Sequence, residues 1–115
     1  MPVYVDHMRA PFRGRIMCHM VADRLDELMA MADRIGMQRR WFQPLSHPHF
    51  DIDEPRRALA VHLGAVEVGR RDLVAALRRH RALWQADPQE AAAIRAAGRA
   101  ARHPAFLAGE PGPYG

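Results

Sequence analysis

Apolar residues follow two rhythms along this chain. Val3-Tyr4-Val5 and the run Ile16-Met17-Cys18-His19-Met20-Val21 are short and dense, and the second reads as a buried strand over 15–22 interrupted by one imidazole. Pro11 and Gly14 punctuate the stretch between them as a loop. Leu25, Leu28, Met29, Ala32 and Ile35 then recur at the spacing of one helix face. Asp23 stands where an N-cap belongs, Asp26 and Glu27 complement the dipole of the first turn, and Gly36 supplies the stop.

Trp41-Phe42-Gln43 predicts a third strand, ended by Pro44 and followed by a loop through Ser46, Pro48 and Asp51. Asp53-Glu54-Pro55 opens a second helix, with proline suited to a first turn that has no need of its N–H, and Gly64 closes it. Ala65-Val66-Glu67-Val68 predicts a fourth short strand, and residues 70–84 a third helix with Leu73, Val74, Leu77 and Trp84 inward. Asp87-Pro88-Gln89-Glu90 has the spacing of a capping box at the head of an Ala-rich fourth helix running to about Arg102.

Strands alternating with helices predict an α/β fold: a small single-domain sheet of about four short, mostly parallel strands covered by helices, with an extra C-terminal helix. The expected divisions are a core over 1–85, a helical appendage over 86–108 and a Pro- and Gly-rich flexible tail over 109–115. No internal repeat is visible.

A chain of 115 residues fits one domain, and 49% hydrophobic with 26% charged residues matches folded proteins rather than disordered ones. No apolar run approaches the roughly 20 residues that span a bilayer, and no basic flank precedes an apolar leader, so the expected compartment is the cytoplasm. Cys18 is the single cysteine, which excludes an internal disulfide and a thiolate-rich zinc site. Any metal would need His, Asp and Glu ligands.

The formal charge of +4 and a pI near 10.5 bring nucleic acid into view. All 17 basic residues are Arg, a bias that GC-rich coding also produces, and the excess lies in the second half. Residues 1–53 hold seven Arg against seven acids, whereas residues 54–115 hold ten against six. The basic half is therefore not the half with the histidine and aspartate cluster.

That cluster carries the candidate chemistry. His47 and His49 are two apart, which on an extended path puts them on one side, and Asp51 continues the series. Two imidazoles and a carboxylate suit a divalent ion or proton transfer, while the structural alternative is a loop whose Asp51 caps the next helix. Asp6 ends the first strand, and His19 and Asp23 fall near the end of the second, where open sheets bind ligands. The structural alternatives are a hydrogen-bonded core histidine and a helix cap.

Cys18 reads as a small core hydrophobe rather than a nucleophile. Trp41, Phe42 and Gln43 could stack on and bond a planar ligand, or the aromatics could fill the core. Arg70, Arg71, Arg78, Arg79 and Arg81 give the third helix a basic outer surface, which phosphates or plain solvent could occupy. The Walker, dinucleotide, zinc-peptidase, calcium-loop and serine-elbow signatures are absent.

Val3-Tyr4-Val5-Asp6, Cys18-His19-Met20-x-Ala22-Asp23, Arg40-Trp41-Phe42-Gln43, His49-Phe50-Asp51-Ile52 and Arg57 together resemble a small bacterial and phage family known as domain of unknown function 4031. The resemblance runs over roughly residues 2–72. It implies that His49-Phe50-Asp51 stands for the family's His-Tyr-Asp motif, with Phe50 replacing the tyrosine and removing its hydroxyl. It also implies that His47 is a weaker ligand candidate than His49, and that residues beyond about 85 belong to this branch alone.

The expected site joins Asp6, His19, Asp23, His49 and Asp51 as the catalytic set, with His49 and Asp51 as the metal pair. Arg15, Gln43, Trp41 and Arg57 are the expected substrate anchors. The reading is a small enzyme acting on a phosphate-containing or nucleotide-like substrate, a divalent metal being optional. The alternatives are a nucleic-acid or protein binding module using the basic Arg70–Arg81 helix, and a homo-oligomer held by the fourth helix.

Overall fold

The chain turns back on itself first through Arg13 and Gly14, both at positive φ (50° and 78°), which is the backbone that a two-residue type I′ hairpin requires. In the computed structural model, which describes residues 2–44 and 46–101, this turn joins β2 (Ala10–Phe12) to β3 (Arg15–Ala22) as antiparallel partners. β1 (Val3–Val5) lies on the same edge of β3, also antiparallel, with Val5 opposite Met20. Ala10 sits opposite Met17, so four residues, Asp6 to Arg9, face only Cys18 and His19. β1 and β2 are one edge interrupted by a two-residue bulge.

On its other edge β3 pairs antiparallel with β4 (Phe50–Asp53), setting His19 opposite Asp51. β5 (Val66–Glu67) adds to β1 as the parallel pair of the sheet. The expected mostly parallel sheet of about four strands is corrected to a five-stranded, mostly antiparallel one. Pro11 and Gly14 belong to a tight hairpin rather than to a crossover, and hairpins force antiparallel pairing.

Two further expectations change. Trp41-Phe42-Gln43 is no strand: residues Arg39–Trp41 make a 3-10 turn, and Gln43 forms a single antiparallel bridge with His49. The segment expected to be a loop through Asp51 is β4 from Phe50 onward. Phe42 and Phe50 pack ring to ring at 5.8 Å in the core, so the aromatics that looked like strand material serve the core from two different elements.

Glycines close two of the helices, and aspartates cap the starts of two. α1 (Leu25–Arg34) ends with Met37 N–H on the Ala32 carbonyl at 2.9 Å, and α2 (Glu54–His62) with Ala65 N–H on Ala60 at 2.9 Å, both Schellman closures through a glycine. Asp53 caps α2 by accepting from Arg56 N–H at 3.2 Å. α3 (Arg70–Ala86) buries Leu73, Ala76 and His80, while Val74, Leu77 and Trp84 are only partly covered. α4 (Pro88–Ala100) packs Ile94 and Ala97 against the main core, its expected end at Arg102 and the 109–115 tail lying outside the described residues.

Alternation along the strands splits the sheet. Val3, Val5, Cys18, Met20, Ala22, Phe50 and Ile52 face the large core with α1 and Ala60 of α2. Met29 and Met31 also lie buried in that core. Tyr4 and Val21 face a smaller cluster with Leu73, Ala76 and Leu77 of α3. The residues between the core positions of β3 and β4, including His19 and Asp51, therefore share the α3 side of the sheet.

Candidate functional site

The bulge makes the first half of the site. Asp6 N–H still donates to the His19 carbonyl at 3.2 Å, but the Asp6 carbonyl turns away and accepts from Arg57 Nε at 3.0 Å. The Asp6 carboxylate replaces it in the ladder, Oδ1 accepting from His19 N–H at 3.0 Å and from Met8 N–H at 3.3 Å. Its other oxygen, Oδ2, lies 2.7 Å from His19 Nδ1. A carboxylate there can only accept, so Nδ1 carries a proton, and in the neutral ring the lone pair lies on Nε2. Asp6 is nearly buried at 9% side-chain exposure, whereas His19 is open at 28%.

The second half is built by the Gln43–His49 bridge, closed by N–H to carbonyl bonds of 3.0 and 3.1 Å. It turns the chain so that His49 Nδ1 donates to the His47 carbonyl at 2.9 Å. Gln43 Nε2 donates to Asp51 Oδ2 at 2.9 Å, and His49 Nε2 lies 3.4 Å from Asp51 Oδ1. The rings of His47 and His49 stand 4.6 Å apart, His19 and His49 5.6 Å, and His19 and His47 6.4 Å. Asp6, His19, His47, His49, Asp51 and Gln43 thus form one connected polar patch.

Electrostatics divides the imidazoles. Burial is the largest single influence on His49 and pulls it down, yet the Asp51 hydrogen bond, the His47 carbonyl and the Asp51 charge together lift it above the ordinary value. Asp51 is the mirror case: burial raises it, but bonds from His49 and Gln43 and the charges of His49 and His19 carry it below the usual range. His47 falls to about 4, through burial first and then the positive charge of His49, His19 and Arg81. His47 is therefore neutral at physiological pH.

Other expected site residues go elsewhere. Asp23 accepts from Tyr4 Oη at 3.1 Å and from Arg79 at 3.2 Å, fastening α3 to the far end of the sheet. It caps no helix; Leu25 N–H at the start of α1 donates instead to Glu90 Oε2 at 2.8 Å. Trp41 is buried in the main core. Arg15 reaches Asp53 at 3.2 Å, and Arg57 binds the Asp6 carbonyl and Glu67 at 2.8 Å, where it braces the bulge.

Cys18 is buried, and burial pushes its thiol up to about 12, so it has no thiolate with which to attack. Among the described residues, no group of three or more His, Cys, Asp or Glu side chains is assembled to hold a metal ion.

Sequence reasoning passed over His80 and Glu90. His80 Nε2 donates to Glu90 Oε2 at 2.7 Å under the edge of Trp84, both groups sealed from water. Glu90 had the capping-box position, but Asp87 alone caps α4, accepting from Gln89 N–H at 2.9 Å and Glu90 N–H at 3.5 Å. Glu90 instead turns to α1 and α3, where its Oε2 accepts from Leu25 N–H and from His80, two buried donors that both need a partner.

The fold is that of an α/β protein with helices on both faces of a mostly antiparallel sheet, and an imidazole-carboxylate cluster lies on one of those faces. Residues 3–80 match the family described as protein of unknown function DUF4031, and the chain belongs to it. The matched span contains the whole patch and stops short of α4. No curated protein and no solved structure gives a significant match. Among the described residues, no helix is long and apolar enough to cross a membrane.

Proposed function

We propose that this protein is an enzyme that carries out acid-base chemistry on a phosphate-containing or nucleotide-like substrate, with His19 moving the proton and Asp6 holding its tautomer. The observation that carries the reading is the 2.7 Å His19–Asp6 pair, nearly buried at the carboxylate and open at the ring. A general base needs an orienting partner on one nitrogen and access to the lone pair of the other, and Asp6 on Nδ1 with an open ring fits that need for the neutral imidazole. Gln43, His49 and Asp51 line the same patch as groups that position the substrate. Arg81, whose charge reaches His47, brings positive charge to that side for a phosphate.

The test is a hydrolysis and transfer screen against phosphomonoesters, phosphodiesters and nucleotides, repeated with His19→Ala and Asp6→Asn. Loss of a proton-transfer group lowers turnover by roughly 10²–10⁴-fold. Turnover in His19→Ala equal to that of the parent would sink the proposal.

A second reading has its own observation. Arg70, Arg71 and Arg78 line one shallow groove on the outer face of α3 with Arg79, which Asp23 also anchors. As a nucleic-acid module the protein would bind RNA or DNA with an affinity falling steeply as salt rises, and Arg71→Ala with Arg78→Ala would flatten that slope. Binding that ignores both salt and these two substitutions excludes it.

A further inference from the structure

A pocket of about 230 Å³ opens beside the imidazoles, lined by Pro44, His47 and Pro48 of the loop before β4, Trp84 near the end of α3, and Ile94 and Arg95 of α4. α4 comes close to that loop through a glycine: a Cβ added at Gly98 would stand 3.4 Å from Pro44 Cβ. Ile94 and Ala97 tie the same helix to the main core. His47 belongs to the pocket and to the acid-base patch alike, its ring 4.6 Å from that of His49 and 6.4 Å from that of His19.

The lining has the character of a ring-binding site. Two prolines, an isoleucine and an indole supply apolar wall, and no carboxylate stands among the described lining residues. His47, lowered to about 4, is uncharged at physiological pH and sets no charge against a neutral ring. Positive charge comes from Arg95 in the lining and from Arg81, whose charge reaches His47, and neither is ion-paired to a described carboxylate. An apolar cavity of about 150 Å³ holds one benzene ring, and drug-sized ligands take roughly 300–1,000 Å³. The volume of this pocket therefore suits one heterocycle and is too small for two.

We propose that the pocket holds the base of a nucleotide substrate, with Trp84 as its aromatic wall and the phosphate end directed past His47 to the acid-base patch. This inference rests on the acid-base reading and deepens it by narrowing the substrate from phosphate compounds in general to nucleotides. Trp84, Ile94 and Arg95 lie beyond residues 3–80, so base recognition comes from the part of the chain outside the family match. A base on an aromatic side chain gains about 5- to 150-fold in affinity, which makes Trp84 the residue to test.

The experiment titrates the full chain by calorimetry with the four nucleoside monophosphates, and with ribose phosphate and phenyl phosphate as probes that lack the base. At least one nucleotide should bind about tenfold or more tightly than either probe. Trp84→Ala should weaken it by about 5- to 150-fold, and Ala91→Phe, which adds a ring to the pocket wall and removes nothing, should abolish it, both with the fold checked by circular dichroism. No binding of any nucleotide, equal binding of ribose phosphate or phenyl phosphate, or full binding by folded Ala91→Phe overturns the proposal.

The two tryptophans read the site without any substitution, because Trp41 is buried in the main core and Trp84 lines the pocket. In two-dimensional NMR, added nucleotide should move the Trp84 indole N–H and the His47 ring signals and leave Trp41 in place. Shifts confined to the arginine groove of α3 overturn the assignment. Nucleotide bound in the pocket and turned over fully by His19→Asn would leave the pocket standing and remove the acid-base reading. His19-dependent turnover of ribose phosphate, with no nucleotide held in the pocket, would do the reverse.

Discussion

Two imidazole-carboxylate pairs in this protein have the same length and different surroundings. His19–Asp6 and His80–Glu90 both close at 2.7 Å. The second is sealed, with side-chain exposures of 2% and 5%, and its carboxylate also holds the first N–H of α1. The first leaves its ring 28% exposed, beside two further histidines. Distance alone therefore does not mark a reactive site. Exposure separates the two: His80 bonds Glu90 through Nε2 and is sealed under Trp84, whereas His19 bonds Asp6 through Nδ1 and leaves the rest of its ring open.

The strongest way to break this comparison is through Glu90. Glu90→Ala strands Leu25 N–H at the head of α1 and the His80 ring, each a buried donor costing about 1–3 kcal/mol when left without an acceptor. Its urea midpoint should fall by a corresponding amount while any activity of the folded fraction stays that of the parent. An unchanged midpoint would mean that the buried pair holds nothing together.

Asp6→Asn should show the opposite balance. The amide oxygen can still accept from His19 N–H and Met8 N–H, so stability should change by no more than about 1 kcal/mol. Its nitrogen cannot accept from His19 Nδ1–H, so the tautomer and the pH-rate profile should shift. A large loss of stability with an unshifted profile would make Asp6 a bulge-former and nothing more.

The smallest effect sharpens the roles within the patch. His47 is depressed from 6.5 to about 4, so the unfolded chain takes up its proton first and stability is lost as pH falls from 6.5 toward 4. His49 has the opposite sign: its raised value contributes stability that is complete below 6.5 and disappears as pH climbs through that raised value. Asp51 contributes above 3.8, and its contribution is lost as pH drops through its lowered value. His47→Gln should therefore gain on the parent between pH 6.5 and 4 in denaturant titrations. Parallel stability curves for the two proteins would show that His47 is not held neutral by the fold.

How much was legible in the residues follows the range of each interaction. Gly36 and Gly64 as helix stops, and Asp53 and Asp87 at helix starts, were legible because their partners lie within a few positions, although the cap of α2 is Asp53 and not Asp51. Asp23 and Glu90 carried equally good local signals and were captured by distant groups, Tyr4 with Arg79 and His80 with Leu25. His19, His49, Asp51, Asp6 and Gln43 were all visible as candidates, but nothing local distinguished them from Asp23, Trp41 or Arg57. The chain's apolar run over β3 also hid an alternation, since His19 is the one polar residue among neighbours that are apolar on both faces.

The sequence by itself determined which segments are α-helical, where three of the four α-helices stop or start, which residues are apolar enough to form the core, and which imidazoles and carboxylates were available for chemistry. These depend on spacing, capping and composition, all of which act over a turn or less. Only the tertiary structure decided that β3 pairs antiparallel on both edges, that the ladder slips by two residues at Asp6, and that the slip turns a backbone-pairing position into the partner of His19. Strand pairing and bulges are settled by contacts across the sheet, and the residues that make them carry no local mark of where their partners will be.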